Sequence, residues 1–135
     1  MFLVNQATIC WASRKQTAVS LSSMEAEYVA LSEACKELVW LRRLLEEMDV
    51  TQEGPTTIHE DNTSCIDFVG IDRQSRRSKH IDTRMFYARD LCEKGVASVK
   101  YCSSESMVAD VLTKPLSAVK QRRFAEMLGL VGSSQ

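Results

Sequence analysis

Glycine and proline are scarce, with five Gly and two Pro in 135 residues. A chain this poor in both, with 44% hydrophobic and 26% charged residues, is neither collagenous nor low-complexity nor disordered. Long apolar runs are also missing. No stretch of about 18 apolar residues exists, so no membrane-spanning helix is expected. Met1-Phe2-Leu3-Val4-Asn5 lacks the basic leader and long apolar stretch of a secretory signal. There are two histidines (His59 and His80), no Gly-x-Ser-x-Gly elbow and no Gly-rich phosphate loop, which sets hydrolytic triads aside. The five cysteines (Cys10, Cys35, Cys65, Cys92, Cys102) form no Cys-x-x-Cys pair. That pattern argues against zinc knuckles and a disulfide framework, and for free thiols in a reducing compartment.

What is present is one domain's worth of chain, enough to bury roughly two-thirds of its unfolded surface. Seventeen basic and eighteen acidic residues give a net charge of −1, and the total hides a segregation. Between Ser22 and Asp49 there are seven acidic residues (Glu25, Glu27, Glu33, Glu37, Glu46, Glu47, Asp49) and three basic ones. Between Arg73 and Arg89 there are six basic residues: Arg73, Arg76, Arg77, Lys79, Arg84 and Arg89. An acidic helix beside a basic segment points towards a polyanionic partner.

Residues 1–4 and 7–13 predict a β-hairpin from the first residue, and 17–19 a third extended piece. Ser22 or Ser23 caps the following helix. From Met24 to Met48, Tyr28, Leu31, Cys35, Leu38, Leu41, Leu45 and Met48 recur at three- and four-residue steps, predicting about seven turns of amphipathic helix. A strand over 56–60, a short helix through Val69, a basic loop over 70–78 and a helix over 79–93 follow. A strand over 97–102, a helix from Ser103 to Leu112 and a last helix over 117–128 complete the order. The class is α/β with a mixed sheet: one domain over 1–128 and a flexible tail over 129–135.

Three carboxylates stand in odd surroundings. Glu27 is the only one of six helix glutamates that falls inside the apolar stripe, whereas Glu25 lies on the far side. A carboxylate on a core-facing stripe is costly unless it is paired or binds a cation, although a position near a helix start also suits it. Asp61 follows a strand and opens a helix, so it is either an N-cap or a ligand-facing group at a strand end. Asp110 sits within apolar Met107-Val108-Ala109-Asp110-Val111-Leu112, where the helix dipole is again an alternative. If the three converged, their oxygen donors would favour Mg²⁺ or Mn²⁺ over zinc. The run Arg73 to His80, continued by Arg84 and Arg89 with Tyr87 for stacking, is either a solvated face or a phosphate contact.

Trp11-Ala12-Ser13-Arg14-Lys15-Gln16 and Ser22-Ser23-Met24-Glu25-Ala26-Glu27-Tyr28-Val29-Ala30 resemble the ribonuclease H domain of copia-type retrotransposon polyproteins. The resemblance continues through Glu37 to Leu41, Asp61-Asn62, Arg77 to Asp82 and Ala109 to Leu116, in order, over nearly the whole chain. It implies a ribonuclease H-like fold within a Pol polyprotein, beside its reverse transcriptase domain and in the element's cytoplasmic virus-like particle. It implies hydrolysis of the RNA strand of RNA–DNA hybrids at a two-metal Mg²⁺ or Mn²⁺ site. The helix glutamate of the family matches Glu27, the strand-end aspartate Asp61 and the late-helix aspartate Asp110. Arg76, Arg77, Lys79, His80 and Arg84 of the basic run are the candidate contacts to the phosphates of such a hybrid.

The chain departs from that family at Ser75 and Phe86, where histidines are frequent. It also begins inside the hairpin, whereas the first catalytic aspartate of the family lies on a strand upstream of it, and no acidic residue precedes Glu25. These residues alone are therefore expected to be inactive or nearly so, and to self-associate through bare strand edges. The rival expectations are a non-catalytic nucleic-acid-binding remnant and an inert fragment.

Overall fold

Helix α1 (Ser23–Glu47) begins where the sequence supplies a cap. The Ser22 hydroxyl accepts the Glu25 N–H at 3.1 Å, and the Glu25 carboxylate reaches back to accept the Leu21 N–H at 2.7 Å. The pair is a variant of the capping box, satisfying two donors that the helix start leaves open. In the computed structural model, which describes residues 1–5, 7–17, 19–70 and 83–130, the remaining elements follow in chain order. These are the strands β1 (Phe2–Val4) and β2 (Ala7–Cys10) before α1, then β3 (Thr56–Glu60), α2 (Thr63–Gly70), α3 (Thr83–Glu93) and β4 (Ala97–Tyr101). A 3-10 helix (Val108–Leu112) and α4 (Ala118–Met127) close the order. The chain is a mixed α/β protein. Among the described residues no helix is long and apolar enough to cross a membrane.

Two compact units form. One comprises Val19–Ser103, the other Met1–Ala18 with Ser104–Gln135. In the first, β3 and β4 pair in parallel, Thr56 opposite Ala97 through Glu60 opposite Tyr101. Helix α1 lies against α2 and α3, and those two pack on the strands. Tyr28, Leu31, Cys35, Leu38 and Leu41 fill the interface from α1, Cys65 and Val69 from α2, and Ala88 and Leu91 from α3. The predicted stripe holds through Leu41. Beyond it Leu45 is half-buried and Met48 exposed, because α1 outruns its partners. Arg42 ties the loop after α1 down, donating to the carbonyls of Gly54 and Gln52 and to the Thr56 hydroxyl.

In the second unit, β1 and β2 form an antiparallel hairpin whose turn begins at Asn5, with a left-handed φ of 49°. Asparagine tolerates that conformation better than most residues. Ser117 caps α4, and Lys120 lies over the Phe124 ring while donating to the Ser104 carbonyl.

The described strands form two two-stranded sheets, antiparallel β1–β2 and parallel β3–β4. Two local expectations change. Thr17 and Val19 belong to no strand. The predicted helix from Ser103 to Leu112 is a turn followed by a five-residue 3-10 helix. Pro115 lies three residues past its end and can neither donate to nor continue an α-helical ladder, so the tighter form wins. All five cysteines are free, as expected.

Arg89 is the central tie of the first unit. It is nine-tenths buried, donates from Nε to the Val69 carbonyl at 3.2 Å and from its terminal nitrogen to the Phe68 carbonyl at 2.6 Å, and lies over the Phe68 ring. The two carbonyls belong to the last turn of α2, which has no helical donors left and carries the negative end of the helix dipole. The Phe68 ring in turn meets Tyr28 edge-on at 5.2 Å. Replacing Arg89 with Leu should therefore lower stability by about 1–3 kcal/mol, through carbonyls left without donors. Arg89→Lys should recover little, because an ammonium cannot reproduce the planar fork. Urea denaturation midpoints of the two variants test both statements.

Candidate metal centre

The residues around Glu60 are held by backbone bonds before any side chain acts. Cys102 donates its N–H to the Glu60 carbonyl at 2.8 Å, which closes the β3–β4 ladder. Two residues on, Asn62 caps α2: its side-chain oxygen accepts the Cys65 N–H at 3.1 Å, and its carbonyl accepts from Cys65 and Ile66. The capping role left open for Asp61 therefore belongs to Asn62. Asp61 stands between a pinned strand end and a capped helix start.

Strand alternation sends Thr56, Ile58 and Glu60 inward and Thr57 and His59 outward. Glu60 is thus buried, 6% exposed. Its Oε1 accepts the Asn62 N–H at 2.9 Å. Burial pushes its carboxyl above the ordinary value of 4.5, and the charges of Glu27 and Asp61 push it further. The N–H groups of Asn62 and Asp61 pull the other way.

Across from this strand end, α1 presents Glu27, half-buried as its position on the stripe predicts. One carboxylate oxygen each from Glu27, Glu60 and Asp61 lie within 4.8 Å of one another. Glu25 is half-buried as well, so the expected solvated far side does not hold for it. Its carboxylate is committed to the Leu21 N–H at the helix start, which separates the two glutamates by role.

The donor set is all oxygen. Cys65, fully buried nearby, has its thiol pushed up to about 12 by burial first, then by the charges of Glu60 and Glu27, so at neutral pH it supplies no thiolate. Three carboxylates without nitrogen or sulfur fit a hard divalent cation such as Mg²⁺ or Mn²⁺.

Glu60 is the site residue that sequence reasoning missed. The signal was there: with Ile58 inward, period-two alternation turns Glu60 inward too.

Asp110 lies in the other unit, on the 3-10 helix, 6% exposed. Its Oδ1 meets Lys114 Nζ at 2.9 Å. Of the predicted nucleic-acid face, Arg76, Arg77, Lys79 and His80 lie outside the described residues. Arg84 is the second residue of α3, and its side chain lies outside them as well.

The chain is similar to long polyproteins. It is 33% identical over 130 residues, 96% of its length, to the retrovirus-related Pol polyprotein from transposon TNT 1-94 of Nicotiana tabacum. It is 33% identical over 123 residues, 91% of its length, to the Pol polyprotein from transposon RE2 of Arabidopsis thaliana. The Pol polyprotein from transposon RE1 of the same plant matches at 33% over 122 residues, 90% of the chain. The chain spans only 8–10% of the length of these relatives. No protein-family model and no solved structure matches it.

The raised carboxyl of Glu60 has a consequence for stability. A group whose folded value is raised binds its proton more tightly in the native state than in the unfolded chain. Stability without metal should therefore fall as the pH rises past 4.5, and the penalty is fully present once Glu60 is ionised. Glu60→Gln, which keeps an oxygen for the Asn62 N–H, should raise the melting temperature at pH 7 and lose that advantage near pH 4. Thermal melts in chelator across that range would read it, and an advantage independent of pH would contradict the assignment.

Proposed function

From homologues that are retrotransposon Pol polyproteins, which mark the chain as retroelement-derived, we propose that it is the ribonuclease H-like portion of a copia-type Pol polyprotein. It acts on the RNA strand of RNA–DNA hybrids, beside the reverse transcriptase domain of the same polyprotein. The observation that carries this reading is the gathering of Glu27, Glu60 and Asp61 within 4.8 Å, on the helix and strand end that the resemblance assigns to metal binding.

Glu27 and Asp61 would hold Mg²⁺ or Mn²⁺, with Glu60 adding a third oxygen donor behind them. When bound, the metal supplies an activated water and stabilisation of the leaving 3′ oxygen. The work of the protein is positional. The ladder bond to Glu60 and the Asn62 cap fix the strand end, and the Ser22–Glu25 cap fixes the start of α1 two residues before Glu27. Burial of Glu60 lowers the local dielectric, which strengthens the attraction of the cluster for a cation.

The basic residues Arg76, Arg77, Lys79, His80 and Arg84 hold the phosphates of the hybrid. β3 has β4 on one side and, among the described residues, no strand on the other. The resemblance assigns a further catalytic aspartate to a strand at that open edge. The same edge offers self-association when it is bare.

Metal binding tests the site. In Mn²⁺ titrations, Asp61→Asn and Glu27→Gln should each weaken binding by about tenfold or more, in line with loss of a charged ligand, while Glu25→Gln leaves it unchanged. Equal loss in the Glu25 and Glu27 variants would remove the assignment of Glu27.

Hybrid binding tests the partner. Replacing Arg76, Arg77 and Lys79 together with Ala should reduce the salt slope of binding by about 2–3 units, without changing sequence preference. An unchanged slope returns these residues to a solvated face. Cleavage of a labelled hybrid in Mg²⁺ should appear on adding an upstream strand with its aspartate from a related element, and be absent or minimal in the 135-residue chain. Hybrid binding without cleavage in both forms would favour the non-catalytic reading.

A further inference from the structure

Tyr101 is the last residue of β4 and stands directly opposite Glu60 in the parallel register. Register partners in neighbouring strands lie roughly 5 Å apart and turn their side chains to the same face. Tyr101 therefore continues the row of Ala97 and Val99, as Glu60 continues that of Thr56 and Ile58. The two rows end differently. Glu60 is 6% exposed, whereas Tyr101 is 59% exposed. The ring is left in water at the carboxyl end of the strands, which is where open α/β sheets bind their ligands. Its backbone is fixed there, because the next residue, Cys102, donates its N–H to the Glu60 carbonyl at 2.8 Å. Its hydroxyl is uncommitted: among the described residues it meets no hydrogen-bond partner. Tyr28, by contrast, is fully buried against Phe68.

We infer that Tyr101 contacts the sugar of the RNA strand beside the carboxylate cluster and reads its 2′-hydroxyl. The inference rests on the reading of Glu27, Glu60 and Asp61 as a metal site that acts on RNA–DNA hybrids. Cluster and tyrosine belong to the same compact unit and the same strand end. A tyrosine offers an apolar ring and a polar tip that both donates and accepts. The ring packs on ribose and deoxyribose alike, but only ribose carries the 2′-hydroxyl, the group by which a protein tells RNA from DNA. The neighbouring carboxylates serve that task poorly. When ionised they accept only, and a bound cation claims their oxygens. Tyr101 is thus a specificity-determining contact and takes no part in breaking the bond.

The experiment measures binding of the full chain, in Mg²⁺ at fixed salt, to a labelled RNA–DNA hybrid and to a DNA duplex of the same sequence, by fluorescence anisotropy. Tyr101→Phe keeps the ring and should lower affinity for the hybrid about three- to tenfold, the scale of one neutral hydrogen bond, while leaving duplex DNA unchanged. Tyr101→Ala also removes the ring contact and should weaken duplex DNA as well, on the order of fivefold. Equal loss on both duplexes in Tyr101→Phe marks a structural role and overturns the inference. A parent chain that prefers the hybrid, with that preference intact in Tyr101→Phe, overturns it too and leaves the reading of the cluster standing. A parent chain that binds the hybrid no better than duplex DNA removes the hybrid as partner, and the role of Tyr101 with it.

Discussion

Three carboxylate oxygens within 4.8 Å of one another repel, and the first compact unit holds them together against that repulsion. Glu60 bears most of it, since it is buried while Glu27 and Asp61 keep part of their surface in water. Desolvation and two neighbouring charges raise its carboxyl, and only backbone N–H groups oppose them. Such a cluster persists only where the backbone is fixed by bonds that do not depend on it. Here those bonds are the β3–β4 ladder through Glu60 and the Asn62 cap of α2.

The apolar packing behind the cluster follows from the same constraint. Tyr28, one residue after Glu27, is fully buried and sets its ring edge-on to Phe68, which Arg89 covers. This chain of contacts runs from α1 through α2 to α3, so the helix that carries Glu27 cannot slide along the strand end that carries Glu60 and Asp61. Each large apolar side chain buried there contributes about 1.5–3 kcal/mol, more than an exposed ion pair could add. The position of the carboxylates is therefore set by the core, not by their own interactions.

Much of this was legible in the sequence, and the parts that were not have physical reasons. Helix α1 announced itself by periodicity over 25 residues, and the one glutamate on its apolar stripe is the one that meets the cluster. Asp61 was legible as a strand-end residue, but sequence could not divide capping from clustering between neighbouring Asp61 and Asn62, because both residue types cap helices equally well. Glu60 was legible only through Ile58, the single strong apolar marker of a five-residue strand, whose inward position turns Glu60 inward too. The region from Ser103 to Leu112 read as α-helix since apolar spacing does not separate i+3 from i+4 bonding over so few residues. Strand partnership was the least legible, because β3 and β4 pair across the intervening α2 and α3 and no local pattern encodes that contact.

The thiols near the cluster are shaped by the same burial and charge. Cys65 is buried beside it, and a thiolate there would draw zinc or copper. Burial first, and then the charges of Glu60 and Glu27, push that thiol up to about 12. The carboxylates of the cluster thus add to burial in keeping the Cys65 thiol protonated. Cys35, fully buried on the same helix face as Tyr28, is held at about 12 by desolvation first. Keeping these cysteines protonated requires no special geometry at them. It follows from burial at both, with the negative charge of Glu60 and Glu27 added at Cys65, so removing the charge of Glu60 lowers the Cys65 thiol only in part.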